Sequence, residues 1–285
     1  MVPEQLNRKG EVVGQRYELL EIIGSGGQSV VYKALDYVDG DHVALKVLES
    51  TDPDACERMF REAHIMTQLM GTSAVRILHQ CKTYDGLQAL VMELLEGKNL
   101  ADALDLLARA KQAVSPGWLF EVLDPIVSTL EYAHDRGIVH RDLKAENVYL
   151  LDPARGGGVR LLDFGFSRLE RSPSITAQEM IAGSPAYVAP EVWREGSRQA
   201  GRSVDVYALG VLVFRMLGGK LPFPGTTVEM MRGATAAPRP SLHALRPDLP
   251  RDVDHWIQQV LAIKPEERFQ RCGAAWNALR AVLRT

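Results

Sequence analysis

A glycine-rich turn between two strand-like segments near the N-terminus is the feature that most limits the fold. Residues 17–23 and 30–34 have the composition of strands, and residues 24–29 between them read Gly-Ser-Gly-Gly-Gln-Ser. Glycines at a hairpin tip allow backbone N–H groups to approach phosphates with no side chain in the way. A dinucleotide-binding loop leads into a helix, whereas this one leads into a strand. The pattern therefore favours an antiparallel hairpin, either an ordinary turn or a phosphate cradle, over a Rossmann unit.

Composition and charge exclude several classes of protein. The 285 residues are 46% hydrophobic and 24% charged, as in soluble globular proteins, and suffice for one large domain or two lobes. A formal net charge of −3 gives no reason to expect nucleic acid or an acidic membrane as a partner. Residues 1–10 lack the apolar segment of a signal peptide. The apolar run 206–217, which Arg215 interrupts, is too short to span a bilayer and predicts a buried helix.

The cysteines indicate a reducing compartment. Cys56, Cys81 and Cys272 are far apart in the sequence and form no Cys-x-x-Cys pair. This spacing argues against a disulfide scaffold and against a zinc site. We therefore expect a cytoplasmic location with no membrane contact from this chain.

The octapeptide at residues 140–147, His-Arg-Asp-Leu-Lys-Ala-Glu-Asn, places an acid, a base and an amide in one short loop. Asp142 can accept a proton from an attacking hydroxyl, and Lys144 can neutralise a transferring phosphoryl group. Asn147 offers a neutral oxygen of the kind that Mg²⁺ accepts beside carboxylate and phosphate oxygens. Taken alone, the loop could equally be a solvated polar turn.

A single lysine lies in an apolar strand predicted at residues 43–48. The alternation of a strand predicts one face with Ala44, Lys46 and Leu48 and another with Val43, Leu45 and Val47. An unpaired buried charge is costly, so Lys46 needs either a partner or access to solvent at a sheet edge.

Two helices are predicted from their apolar stripes. The first covers residues 57–70, and Glu62 borders its stripe of Met59, Ala63, Met66 and Met70. The second begins with Ser115 as cap and Pro116 as first helical residue, and it ends at Gly137. Its predicted buried face is Leu119, Leu123, Ile126, Leu130 and Ala133. We interpret this second helix as scaffold.

These segments, taken in order, resemble the catalytic domain of protein kinases from about residue 17 to residue 283. The resemblance rests on the glycine-rich turn, Lys46, Glu62, the octapeptide 140–147, Asp163-Phe164-Gly165 after a strand, and the segment 183–191 that ends in Ala-Pro-Glu. One departure is Ser29, which stands where the family has its third glycine. We expect that departure to weaken ATP binding only modestly.

The resemblance implies an α+β, bilobal kinase fold. A lead-in at 1–16 would precede a small, mostly antiparallel β N-lobe with one helix at 17–95. A larger, mostly helical C-lobe would follow at 96–285, with ATP between the lobes.

The resemblance also implies the site residues. Those implied as catalytic are Asp142, Lys144, Lys46 and Glu62, with Glu62 pairing with Lys46. Those implied as ligands of Mg²⁺, with Mn²⁺ as an alternative, are Asn147 and Asp163. Those implied as ATP-binding are Ile23, Gly24, Gly26, Val31, Ala44, Lys46, Met92, Glu93 and Leu95. Adenine would be held by backbone groups of Glu93 and Leu95.

Further contacts are implied around the octapeptide. Asp205 would bind the backbone of His140 and Arg141, and Arg268 would pair with Glu191.

The segment between Gly165 and Glu191 corresponds to the activation segment of kinases. We expect activating phosphorylation on Ser172, Ser174 or Thr176, with Arg141 as the partner of the phosphate. The alternative is that these hydroxyls only solvate a loop.

The function implied is that of a serine/threonine protein kinase of the bacterial type, which acts on protein substrates and forms a transient homodimer for trans-autophosphorylation. Lys144 and Ser184 fit serine/threonine rather than tyrosine specificity. Glu146 would either favour a basic residue before the acceptor or be an ordinary surface carboxylate.

Two rival functions do not fit the sequence. A pseudokinase scaffold would require the loss of Lys46, Asp142 or Asp163, and all three are present. A small-molecule kinase of the aminoglycoside type would lack the Ala-Pro-Glu segment at 189–191.

Overall fold

The computed structural model describes residues 8–26, 28–164, 185–196 and 201–284. The chain divides into two units, which we call the N-terminal unit (Met1–Glu96) and the C-terminal unit (Gly97–Thr285).

A six-stranded antiparallel sheet forms most of the N-terminal unit. Its strands are β1 (Val12–Val13), β2 (Tyr17–Ser25), β3 (Ser29–Asp36), β4 (His42–Leu48), β5 (Ile77–Lys82) and β6 (Gln88–Glu93). The spatial order is β1-β2-β3-β4-β6-β5, so β4 is an interior strand. Lys46 pairs with Val31 on one side and with Leu90 on the other. The alternative that Lys46 lies on an edge strand is therefore wrong.

The two faces of β4 are those predicted from the sequence. Val43, Leu45 and Val47 pack in one buried cluster with residues of β2, β3 and β6. Leu48 packs on the other face against Met59 and Ala63 of helix α1 (Pro53–Gln68). The sheet therefore has a core on both sides of β4.

Helix α1 is shifted relative to its prediction. It begins at Pro53, because the side chain of Asp52 caps the N–H of Ala55, and it ends at Gln68. Met59, Ala63 and Met66 are buried as predicted, but Met70 is 59% exposed. Its inclusion in the stripe was wrong because the chain leaves the helix at Leu69.

Helices and a small sheet form the C-terminal unit. The sheet has the order β7 (Gly97–Asn99), β8 (Val148–Leu151) and β9 (Val159–Leu161). The helices are α2 (Leu100–Arg109), α3 (Pro116–His134), α4 (Pro190–Glu195), α5 (Ser203–Gly218), α6 (Thr227–Ala236), α7 (Val253–Val260) and α8 (Cys272–Leu283). The sequence patterns above do not predict β1, β7, α2, α4, α6 or α7.

Helix α3 carries the chain to the octapeptide. The hydroxyl of Ser115 accepts the N–H of Trp118, and Pro116 opens the helix, as predicted. Gly137 follows the helix with a φ of 74°, a conformation that favours glycine. All five residues of the predicted apolar face are buried.

Helix α5 is the most deeply buried helix described. Thirteen of its 16 residues are buried, including the charged Asp205. The prediction of a core helix over the apolar run 206–217 is confirmed. In the described parts of the chain, no helix combines the length and the apolar character needed to cross a bilayer.

Candidate active site

Lys46 and Glu62 form an ion pair inside the N-terminal unit. Lys46 Nζ lies 3.2 Å from Glu62 Oε1 and 3.3 Å from Oε2. Both side chains are largely buried, at 17% and 19% exposed. Strand β4 fixes one partner and helix α1 the other, so the predicted pair is present. The buried ammonium thereby gains the partner that its burial requires.

The octapeptide in the C-terminal unit arranges its polar groups around one carboxylate. Lys144 Nζ lies 2.9 Å from Asp142 Oδ2. Asn147 Nδ2 donates to the same oxygen at 3.0 Å and to the Asp142 carbonyl at 2.8 Å. Ala145–Asn147 form a 3-10 turn, which brings Asn147 back toward Asp142. The alternative of a merely solvated turn does not fit, since Asn147 is buried.

The carboxylate of Asp205 binds the backbone at the start of this loop. It accepts the backbone N–H of His140 on Oδ2 and that of Arg141 on Oδ1, both at 2.8 Å, as expected. His134 Nε2 lies 2.7 Å from Oδ2. Burial raises the pKa of Asp205, but the bonds and charges around it outweigh burial, so the pKa lies below its ordinary value.

His140 joins the loop to the end of strand β9. Its Nε2 lies 3.0 Å from the carbonyl of Leu162, and its ring packs on Phe164 with 4.5 Å between centroids. Burial lowers the pKa of His140 despite nearby carboxylates, which favours the neutral imidazole. A neutral ring has one N–H to donate and one lone pair to accept. Donation to Leu162 leaves Nδ1 to accept the N–H of Asp142 at 3.2 Å.

Asp163 lies two residues after the end of β9 and follows Leu162, which contacts the backbone of Asn147. The Leu162 N–H donates to the Asn147 carbonyl at 2.8 Å. Asp163 is exposed and has a φ of 40°, while Arg141 has a φ of 63°. Such backbone conformations are uncommon for residues other than glycine and occur often at functional sites.

The residues present fit a magnesium ion held together with phosphates. Both hydrogen bonds of the Asn147 side chain use Nδ2, so its Oδ1 is left to bind a cation. No cluster of three acidic, histidine or cysteine side chains that could hold a metal occurs in the described residues. Mg²⁺ commonly takes one or two protein ligands, with phosphate oxygens and water completing the shell.

The residues implied as ATP-binding are distributed over the N-terminal unit. Gly24 pairs with Val31 across the hairpin, and Ala44 is buried on β4 opposite Met92 on β6. Ile23 lies near the end of β2, Gly26 lies in the turn between β2 and β3, and Leu95 follows β6. The Glu93 N–H donates to the Arg76 carbonyl at 3.0 Å, so any contact from Glu93 to adenine would use its carbonyl.

The predicted ion pair between Arg268 and Glu191 is also present. Arg268 Nη1 and Nη2 lie 2.8 and 2.7 Å from the two carboxylate oxygens. The same guanidinium donates to the carbonyls of Ala262, Ile263 and Ser203. This contact fixes the end of the Ala-Pro-Glu segment to the start of α5.

Sequence reasoning missed two residues that act on the octapeptide. His134 belongs to α3, so the interpretation of this helix as scaffold alone is incomplete. The available signal was a histidine four residues after Leu130 on the buried face. Arg215 contacts Glu146, although the sequence showed it only as an interruption of an apolar run.

Several predicted residues lie outside the described part of the chain. They are Gly27, Gly165, Ser172, Ser174, Thr176 and Ser184.

Comparison with known proteins identifies the family of this chain. The sequence matches the protein kinase domain over residues 17–278. It is 36% identical over 280 residues to the serine/threonine-protein kinase pkn2 of Myxococcus xanthus, covering 95% of this chain and 33% of that protein. It is 32% identical over 265 residues to PrkC of Bacillus subtilis, covering 92% and 39%. It is 34% identical over 278 residues to PknL of Mycobacterium tuberculosis, covering 95% and 66%. The chain therefore spans 33% to 66% of the length of these relatives.

The crystal structure of the Mycobacterium tuberculosis PknI kinase domain has the same fold. It superposes with a TM-score of 0.71 at 24% identity and covers 96% of this chain and 98% of that chain. The predicted kinase fold, with a mostly antiparallel N-terminal unit and a mostly helical C-terminal unit, is thus confirmed. The chain belongs to the protein kinase family.

Proposed function

We propose that this chain transfers the γ-phosphoryl group of ATP to serine and threonine hydroxyls of protein substrates. The observation that carries the proposal is the fixed carboxylate of Asp142, with Lys144 Nζ at 2.9 Å and Asn147 Nδ2 at 3.0 Å. A carboxylate held in this way is ready to orient a hydroxyl and to accept its proton. The relatives named above, each a serine/threonine-protein kinase by name, support the choice of acceptor.

Lys46 supplies the positive charge for the α- and β-phosphates in this proposal. Its pairing with Glu62 fixes the ammonium in position before ATP binds, so less entropy is lost on binding. The glycine-rich turn between β2 and β3 supplies backbone N–H groups to the same phosphates.

Asn147 and Asp163 would hold Mg²⁺, and Mn²⁺ could replace it. The metal neutralises charge on the β- and γ-phosphates when it is bound. Lys144 stabilises the charge on the transferring group, and Asp142 takes the proton of the acceptor hydroxyl. The acceptor oxygen forms a bond to the γ-phosphorus while the bond from that phosphorus to the bridging oxygen breaks, so ADP is the leaving group. Positioning and charge neutralisation account for most of the rate in such a mechanism.

We also propose that the chain phosphorylates its own activation segment, on Ser172, Ser174 or Thr176. Arg141 is the partner for the resulting phosphate, because its backbone is fixed by Asp205 at 2.8 Å. Phosphate-site mapping by mass spectrometry checks this: active protein without phosphate on these residues would contradict it.

Asp142→Asn tests the proposed activity, because asparagine keeps the shape of the side chain and cannot accept the proton. We expect transfer of labelled phosphate to a protein acceptor to fall by roughly 10²- to 10⁴-fold. Binding of a fluorescent ATP analogue should remain, which shows that the variant is folded.

Asp252→Asn is a matched control, since Asp252 is 78% exposed and lies in the same unit. It should retain full activity. Wild-type protein that binds nucleotide but transfers no phosphate would overturn the proposal in favour of a pseudokinase scaffold.

A further inference from the structure

Arg215, near the end of helix α5, binds the catalytic octapeptide. Its Nη1 lies 3.4 Å from Glu146 Oε1 and donates to the Tyr187 hydroxyl at 3.0 Å. Its Nη2 lies 3.7 Å from Asp105 Oδ1. We call Arg215, Glu146, Tyr187 and Asp105 the Arg215 cluster.

Glu146 is close to the place where the acceptor hydroxyl must lie. It stands in the 3-10 turn between Lys144 and Asn147, and both of these contact the Asp142 carboxylate. An extended peptide advances about 3.3 Å per residue, so its side chains two or three residues from the acceptor lie about 7–10 Å away. A long side chain at one of these positions would approach the turn that holds Glu146, because this turn also supplies Asn147 to the Asp142 carboxylate.

The largely buried guanidinium of Arg215 neutralises the charge of the more exposed Glu146 carboxylate. The Arg215 side chain is 18% exposed, whereas that of Glu146 is 42% exposed. Burial lowers the pKa of Arg215, but the tyrosine and the two carboxylates around it outweigh burial, so its pKa is raised and it stays cationic. The second oxygen, Oε2, is buried and accepts no hydrogen bond from the described residues. An incoming cation would therefore compete with Arg215 for the one oxygen that is already paired.

We propose that Arg215 determines substrate specificity: by neutralising Glu146, it prevents selection of basic residues near the acceptor hydroxyl. This inference rests on the proposed kinase activity. Glu146 is then neither an ordinary surface carboxylate nor a free site for a basic residue, because a substrate cation must displace Arg215 from Oε1.

A purely structural role for Arg215 would give a different result in a peptide assay. If Arg215 only connected α5 to Tyr187, its substitution would change kcat/KM for all peptides by the same factor. As a specificity residue, it changes the ratio of kcat/KM between peptides that differ by one charge. That ratio does not depend on the fraction of active enzyme, so partial misfolding of a variant leaves it unchanged.

The test uses the whole chain and a serine peptide library in which arginine or alanine occupies each position from three before to three after the acceptor. We expect wild-type ratios for arginine over alanine to stay within about threefold of unity. Arg215→Glu adds a third carboxylate beside those of Glu146 and Asp105. It should raise the ratio about tenfold at one or two positions.

Three further variants make the test specific. Arg232→Glu reverses a charge on the exposed side of α6 and should leave every ratio unchanged. Arg215→Met, which keeps much of the packing, should raise the same ratios by a smaller factor. Adding Glu146→Gln to Arg215→Glu should remove most of the gain, because the two carboxylates act together.

The outcomes separate this inference from the proposed function. Unchanged ratios in Arg215→Glu, or a tenfold arginine preference already present in the wild type, would overturn the inference while leaving kinase activity intact. Failure of the wild type to phosphorylate any peptide or protein would overturn the proposed function itself.

Discussion

Asp205 shows how much of the site depends on one buried residue. Its carboxylate accepts two backbone N–H groups, from His140 and Arg141, and contacts the imidazole of His134. These bonds set the backbone immediately before Asp142, where Arg141 has its positive φ. An unfavourable backbone conformation persists only when surrounding contacts fix it. The geometry of the proposed base therefore depends on a residue that touches no substrate.

Asp205→Asn should destabilise the fold and weaken catalysis together. Asparagine presents one oxygen and one NH₂ group, so one donor loses its acceptor, at a cost of about 1–3 kcal/mol. We expect lower kcat with little change in the KM for ATP. Urea unfolding and steady-state kinetics measure the two effects, and a variant with unchanged kcat would contradict the anchoring role.

The pH dependence of this effect has a definite sign. The folded pKa of Asp205 lies below the ordinary carboxyl value, so its contribution to the free energy of unfolding is present above the unfolded pKa of about 3.9. It is lost as the pH falls through the folded pKa. The difference in stability between wild type and Asp205→Asn should be constant from about pH 5 to about pH 8 and shrink below about pH 4. A difference that grew on acidification would contradict the sign.

At the scale of single residues, a contact was predicted only where the family resemblance identifies both of its partners. The bonds from Asp205 to His140 and Arg141, and the pair of Arg268 with Glu191, were predicted and are present. His134 and Arg215 were missed. Each looks like a polar residue in a helix that is otherwise apolar, and nothing local indicates which distant group it meets.

At the scale of elements, the packing of α5 requires a close approach to the end of α7. A Cβ added at Gly210 would lie 2.7 Å from Val260 Cγ1 and 2.9 Å from Leu261 Cδ2. Both neighbours are fully buried, at the end of α7, and have little room to move. Glycine is thus required here by packing, although a helix interior ordinarily disfavours it.

Gly210→Ala should lower the free energy of unfolding by about 1–3 kcal/mol, because the added methyl group overpacks this contact. The same substitution at Gly117, an exposed position near the start of α3 with only Ser115 Oγ within 4 Å, should be neutral or stabilising by up to about 1 kcal/mol. Urea unfolding of both variants measures the contrast. A neutral Gly210→Ala would show that α7 can shift without cost.

Elements were predicted well where the local sequence alone decides them. Ser115 and Gly137 delimit α3 as expected. Helix α1 differs because Asp52 provides an earlier cap than the apolar stripe suggested. The contact at Gly210 joins segments about 50 residues apart in the chain, and periodicity carries no information about it.

At the scale of the whole molecule, the proposed reaction needs groups from both units. The N-terminal unit supplies the Lys46–Glu62 pair, and the C-terminal unit supplies the Asp142 arrangement. The family resemblance predicted the residues of both groups, since both belong to motifs. It did not predict the charge pattern around Glu146, because that pattern depends on Arg215, outside every motif quoted.

Lys46 and Asp142 belong to different units, and a double variant shows how their contributions to the rate combine. Lys46→Met removes the charge for the phosphates, and Asp142→Asn removes the proton acceptor. If phosphate positioning by Lys46 and proton acceptance by Asp142 depend on each other, the double variant should be little slower than the slower single variant, because residues that act as a unit are strongly non-additive. Single-turnover transfer from labelled ATP measures the three rates. Lys46→Met should also weaken nucleotide binding, whereas Asp142→Asn should not.

A matched control comes from the same sheet. Lys33→Met changes a partly exposed lysine on β3 that lies 4.0 Å from the exposed Glu21, and it should combine additively with Asp142→Asn. If the rate losses for Lys46→Met and Asp142→Asn multiply instead, the two residues contribute independently to the transition state and do not act as a unit. Lys46→Met leaves the largely buried Glu62 without this partner, so we expect it to lower the free energy of unfolding as well as the rate. Urea unfolding of each variant separates the two effects, since the rate per folded molecule should still fall.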